Sequence, residues 1–132
     1  MTDPVKTRIW AQQCLAEFDD GKSDLMKTAL ALAADATPTL DMDGLAAIIN
    51  ELVLAASDAF TADIPENLGD TVALLNQVIL DERGFCGDLK TPEDPENACM
   101  RGVLERRRGL SAALGVLYIH CARALDLDAT AI

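Results

Sequence analysis

Between Asp41 and Ala56, apolar side chains recur at a spacing that a helix satisfies and a strand does not. Leu45, Ile48, Ile49, Leu52, Val53 and Ala56 share one face when wound at 3.6 residues per turn. Asp41 or Asp43 is placed to cap this helix at its start. The same period organises the rest of the chain. Residues 4–19 read as a first helix with Val5, Ile9, Trp10, Leu15 and Phe18 on its apolar side, broken at Gly21. A second helix starts from a Ser23 cap, carries Leu25, Met26, Leu30, Leu32 and Ala33 to about Ala36, and ends before Pro38. After a loop over Thr61–Asn67, a fourth helix presents Leu68, Val72, Leu75 and Ile79 and stops at Gly84.

Phe85–Glu93, with Gly87 and Pro92, reads as an ordered loop. Asp94-Pro95 then opens a fifth helix, which runs to about Arg107. Gly109 separates it from a sixth, about Ser111–Leu125, which is apolar nearly all round and is therefore expected to be central and covered on most sides. No segment alternates as a strand would. With Ala and Leu abundant and only one Trp, one Tyr and three Phe, the expectation is an all-α bundle of about six helices in a single domain, 1–132.

Charge narrows the function classes. The formal net charge is −11, which repels nucleic-acid phosphates. No run is expected to reach the roughly 20 apolar residues of a membrane span. The N-terminus, Met-Thr-Asp-Pro-Val-Lys-Thr-Arg, has no apolar signal core, which leads us to expect a cytoplasmic protein. Cys14, Cys86, Cys99 and Cys121 lack Cys-x-x-Cys spacing, and His120 is the one histidine, so neither a metal site nor a cofactor is expected.

The segment of greatest chemical interest runs from Glu105 to Tyr118. Three arginines, Arg106, Arg107 and Arg108, lead into Gly109, and Ser111 falls in the first turn of the helix that follows. A helix N-terminus offers free N–H groups and a partial positive charge, a setting that activates nucleophiles. Ser111 needs a base within about 2.6–3.2 Å. His120 lies nine residues on, about 13.5 Å along a continuous helix and on its opposite face, so it cannot serve. Cys121 is farther still, whereas spacing does not exclude Cys86 or Cys99. The commonest role for Ser111 is to start the helix, and for lone thiols it is to fill apolar space. The arginines could contact an anion, although in so acidic a chain they more commonly pair with Asp and Glu.

From about Leu40 onward the chain resembles the bacterial transglutaminase-like family of the SirB type. The residues that carry the likeness are Leu74-Leu75-Asn76, Arg83-Gly84-Phe85-Cys86-Gly87, Asp94-Pro95-Glu96-Asn97, Val103–Gly109, Leu114–Tyr118 and Ala122–Leu127. Residues 1–39 carry little of it. The resemblance implies a papain-like architecture whose nucleophilic cysteine sits at the position of Ser111, and this branch commonly lacks that cysteine. It also implies that the partner histidine would come from a strand beyond the Ala122–Leu127 segment.

The expectation is a non-catalytic transglutaminase-like helical domain acting as an interaction or regulatory module toward a protein partner. The alternative is the N-terminal portion of a longer papain-like enzyme whose base lies beyond residue 132. Self-association through uncovered apolar surface is a third expectation.

Overall fold

The computed structural model describes residues 3–18 and 24–127. Among them run α1 (Pro4–Ala16), α2 (Leu25–Ala36), α3 (Met42–Ala62), α4 (Leu68–Asn76), α5 (Met100–Arg106) and α6 (Ser111–Ala124). Two short strands, β1 (Cys86–Gly87) and β2 (Arg108–Gly109), interrupt them. The class is all-α.

Four of the helices begin on a short polar side chain that accepts from the first-turn N–H groups. Asp3 holds Val5 N at 2.9 Å, Asp24 holds Met26 N at 2.9 Å, Asp41 holds Gly44 N at 3.0 Å and Asn67 holds Asp70 N at 2.8 Å. Asp24 therefore does the work expected of Ser23; Gly21 and Ser23 lie outside the described residues.

The core forms around α3. Leu45, Ile49, Leu52 and Ala56 are buried on the stripe that the sequence period marks out. They join one apolar cluster with Leu75, Val78, Ile79, Val103, Leu104 and Leu117. At 21 residues, α3 is long and apolar enough to cross a membrane by length and composition alone, contrary to the expectation that no run approaches such a length. Its buried residues instead follow one stripe, and Asp43, Glu51 and Asp58 lie on exposed positions, which is the pattern of an amphipathic core helix.

Other faces differ from the sequence reading. In α1, Val5 and Ile9 are 67% and 51% exposed, while Thr7 and Ala11 are buried. The partner α2 buries Ala31, Ala33 and Ala34 beside Met26. Helices that meet through alanine approach closely, so the contact stripe is narrow and larger apolar residues on its flanks stay outside. In α4, Leu68 and Val72 are exposed, and burial begins at Leu75. The helix then continues as a π-helical turn, Gln77–Glu82, which carries both Val78 and Ile79 into the core. Gly84, at φ 74°, ends it as expected.

The expected fifth helix is two pieces. Pro95–Ala98 is a 3-10 turn, Cys99 is extended, and α5 starts at Met100. The turn folds back on α5 so closely that a Cβ at Gly102 would lie 2.7 Å from the Glu96 carbonyl oxygen. In α6 only Leu117, Cys121 and Ala122 are buried, so the helix is not covered on most sides as expected. Ser111, Ala112 and Arg123 are exposed, and Gly115, Val116 and Ile119 are half-buried.

The two strands pair in parallel, Cys86 with Arg108 and Gly87 with Gly109. At two residues each, they show no alternation for a sequence to reveal. The approach at Gly109 is tight, since a Cβ there would lie 2.7 Å from Val103 Cγ2 and 3.2 Å from the Asn97 carbonyl oxygen.

Three substitutions, followed by thermal or denaturant unfolding, check this packing. Leu52→Ala removes a 1% exposed core side chain and is expected to cost about 2–5 kcal/mol, whereas Ile9→Ala stays within about 0.5 kcal/mol. Gly109→Ala forces Val103 aside and is expected to cost about 1–3 kcal/mol.

Candidate functional site

The segment leading to Ser111 is fixed by its three arginines, each in a different way. Arg106 ends α5 and reaches back to the Asp88–Asn97 loop. Its Nη2 donates to Asp88 Oδ2 at 3.1 Å and to Asn97 Oδ1 at 3.0 Å. Its Nη1 lies 3.7 Å from Asp94 Oδ2, an ionic contact beyond hydrogen-bond distance. Asn97 is 1% exposed, and its amide donates to the Thr91 carbonyl at 3.0 Å. Its backbone carbonyl accepts from Leu110 N at 2.9 Å, so the Arg106 node is tied directly to the residue before α6.

Arg107 adopts the left-handed conformation, φ 59° and ψ 32°, where glycine is usual at a helix end. Its N–H donates to the Val103 carbonyl at 2.8 Å. The strained backbone is held from outside. The guanidinium donates to the Arg83 carbonyl at 2.7 Å and lies over the Phe85 ring, 5.7 Å from its centroid. Arg108 donates to the Gly84 and Arg107 carbonyls, both at 2.9 Å. Arg106 thus meets carboxylates, whereas Arg107 and Arg108 meet backbone carbonyls, and the three do not converge on one point.

Asp88 is the most constrained acid of the site. Its side chain is 7% exposed and accepts from Lys90 N, Thr91 N and the Thr91 hydroxyl. The Thr91 hydroxyl, then the Thr91 N–H, hold its carboxyl well below the usual carboxylate range, against the opposing effect of burial.

Ser111 follows Leu110, the extended residue that opens α6. No side chain caps this helix. Ser111 is exposed, and α6 runs without a break from it to Ala124. His120 therefore sits about 13.5 Å away along the axis, beside Asp24 and Leu25. Cys121 is buried, and burial pushes its thiol up to about 11. Cys86 is half-buried in β1, where its N–H donates to the Arg107 carbonyl at 3.1 Å. Cys99 is half-buried and lines a hollow that Leu110, Ala112 and Ala113 also line. Cys14 is half-buried on α1. Among the described residues, no group of three His, Cys, Asp or Glu side chains is placed to hold a metal ion.

Sequence reasoning missed the role of Asp88 and the bond from the Tyr118 hydroxyl to Asn76 Oδ1, 2.7 Å across α6 and α4. The Asp88-x-x-Thr91 spacing was the one available signal for the first, since a carboxylate can close a turn onto a hydroxyl three residues on. Burial, then the charge of Asp81, raises the Tyr118 pKa.

Asp88 also sets a pH dependence. A group whose folded pKa is depressed stabilises the fold fully above its ordinary value, near 3.8, and loses that contribution progressively as pH falls from there through the folded value. Acid titration followed by the amide signals of Thr91 and Asn97 is expected to show this loop intact through about pH 4 and loosening only well below it, as pH falls through the depressed folded value. In Asp88→Asn, the loop is expected to be loosened already at pH 7 and to show no further acid step of its own.

The sequence pattern of the transglutaminase-like superfamily matches residues 41–132, from the cap of α3 onward. The chain is 30% identical over 129 residues to the UPF0162 protein of Xylella fastidiosa (strain 9a5c). It is 32% identical over 129 residues to that of Xylella fastidiosa (strain Temecula1 / ATCC 700964). Both matches cover 96% of this chain, and so take in α1 and α2 as well, but only 44% of each relative. The chain thus spans less than half the length of the curated relatives it matches. No solved structure matches it. With the superfamily pattern covering well over half of its residues, the chain belongs to the transglutaminase-like superfamily.

Proposed function

We propose that this is a non-catalytic transglutaminase-like helical domain of the SirB type, a single unit that acts as a cytoplasmic interaction module toward another protein. The observation that carries the proposal is the setting of Ser111. The residue stands at the head of α6 where the family resemblance places a nucleophilic cysteine, and the chain's histidine is about 13.5 Å away on the same helix. A serine hydroxyl without an adjacent base is a weak nucleophile. The arginines before it are engaged by Asp88, Asn97 and backbone carbonyls, which favours a structural role over anion binding. The net charge of −11 favours a protein partner over nucleic acid.

The test is turnover. Amide hydrolysis and amine transfer on glutamine-containing peptides are expected to be no faster with this protein than with Ser111→Ala. Turnover above background that disappears in Ser111→Ala overturns the proposal.

A second reading is supported by the 44% coverage of the relatives: the domain is the N-terminal portion of a longer papain-like enzyme whose base lies beyond residue 132. A reading frame that continues into a histidine-bearing β segment, with Ser111-dependent turnover by the longer protein, would favour this reading over the first.

A further inference from the structure

Four arginines end on carboxylates: Arg8 on Asp35, Arg83 on Glu51, Arg101 on Glu96 and Arg106 on Asp88. Arg107 and Arg108 do not. Both are exposed, and among the described residues neither pairs with a carboxylate. They end instead on consecutive carbonyls, Arg107 on that of Arg83 at 2.7 Å and Arg108 on that of Gly84 at 2.9 Å. A carbonyl accepts the hydrogen bond and leaves the charge standing. Two cations are thus fixed as neighbours on one turn of backbone, where they repel each other. The left-handed backbone at Arg107 is a further cost, since glycine takes that conformation freely.

The acids nearest this turn are committed elsewhere. Glu51 pairs with Arg83 at 2.8 Å, and Glu82 accepts from Gln77 at 3.3 Å. The charge of Asp81 acts on Tyr118. Glu105 pairs with Arg101, and Asp88 with Arg106. The charge left standing at the turn is that of Arg107 and Arg108. Exposed apolar side chains border it. Leu80, whose carbonyl accepts from Gly84 N at 3.0 Å, is 42% exposed. Leu54, one helical turn beyond Glu51 in α3, is 62% exposed.

The geometry selects the occupant. Each guanidinium is held through Nη1, which leaves Nη2 and Nε to donate outward. That planar fork matches a carboxylate. Two forks held on separate carbonyls do not converge on one small anion, but they suit two carboxylates carried by one segment. The Leu54 and Leu80 side chains add an apolar contact that a free anion cannot use. Nucleic acid, with many phosphates, is repelled by the net charge of −11. A short segment meets less of that charge, because screening weakens it beyond about 8 Å at physiological ionic strength. Arginines already fixed in place lose little freedom on binding, which suits them to the centre of an interface.

We propose that Arg107 and Arg108, with Leu80 and Leu54 beside them, form a docking surface for a segment of a partner protein that carries two carboxylates next to a large apolar side chain. This rests on the interaction-module reading, but the two fail separately: Ser111-dependent turnover would overturn that reading without affecting peptide binding.

The probe is a set of short labelled peptides with two Glu or Asp residues at every separation from adjacent to four apart, flanked by Leu or Phe. Each has a Gln or Asn counterpart, and binding is read by fluorescence anisotropy and amide shifts. At least one acidic peptide is expected to bind, shifting the amides of Leu80, Gly84 and Arg108. Its amide counterpart is expected to bind about tenfold more weakly or worse, as is the same peptide to Arg108→Gln and to Arg107→Gly. Glycine suits the backbone at 107, so Arg107→Gly separates loss of the side chain from loss of the fold, which thermal unfolding verifies. Arg8→Gln, on the α1–α2 pair, is expected to bind as the unaltered protein does. Failure of every acidic peptide to bind overturns the proposal, as does equal binding of the amide set or unaltered binding by both Arg107→Gly and Arg108→Gln. So does displacement of the peptide by inorganic phosphate at the peptide's own concentration, because the pair would then be a small-anion site.

Discussion

The site depends on one guanidinium. Arg106 joins the end of α5 to Asp88 and Asn97, at the two ends of the loop and 3-10 turn that precede α5. Asn97 passes that constraint on, because its carbonyl takes the N–H of Leu110, the residue that opens α6. A buried amide that satisfies its acceptor on a cation and its donors on backbone carbonyls defines one loop geometry and disfavours others. Gly102 and Gly109 fit the same arrangement, since a side chain would meet the Glu96 carbonyl at Gly102 and the Val103 side chain at Gly109. The left-handed turn at Arg107 is held by contacts to Arg83 and Phe85 rather than by glycine.

This arrangement bears on the reading of Ser111. In a papain-like site the helix N-terminus, the nucleophile and the base must meet within hydrogen-bond reach. Here the loops and the helix junction are built with care, and Ser111 is exposed at the head of an uncapped helix. Asp88 and Asn97 both accept from Arg106 Nη2 within the fold. A hollow lined by Ala112, the residue after Ser111, opens beside the head of this helix.

Much of the fold was legible where burial follows a helical period. The α3 stripe is the clearest case, because large aliphatic residues sit at three of its four buried positions. The α1 face was misread because its contact with α2 uses Thr7 and Ala11, which periodicity of large residues cannot mark. The π-helical turn and the two-residue strands carry no periodic signature at all. α6 looked central because its composition is apolar, yet several of its apolar residues are small and leave it half-covered. At the site, the exclusion of His120 followed from helix geometry alone. The destinations of the arginines did not, because successive residues at a helix end diverge and their partners come from loops far away in sequence.

The account turns on whether Arg106, through Asn97, holds the junction before α6. Native-state hydrogen exchange in Arg106→Met tests it most directly. The amides of Leu110 and Cys86, which donate to the Asn97 and Arg107 carbonyls, are expected to lose protection while Leu52 and its neighbours in α3 retain theirs. Unchanged protection at Leu110 and Cys86 would contradict the account, as would an equal loss throughout α3.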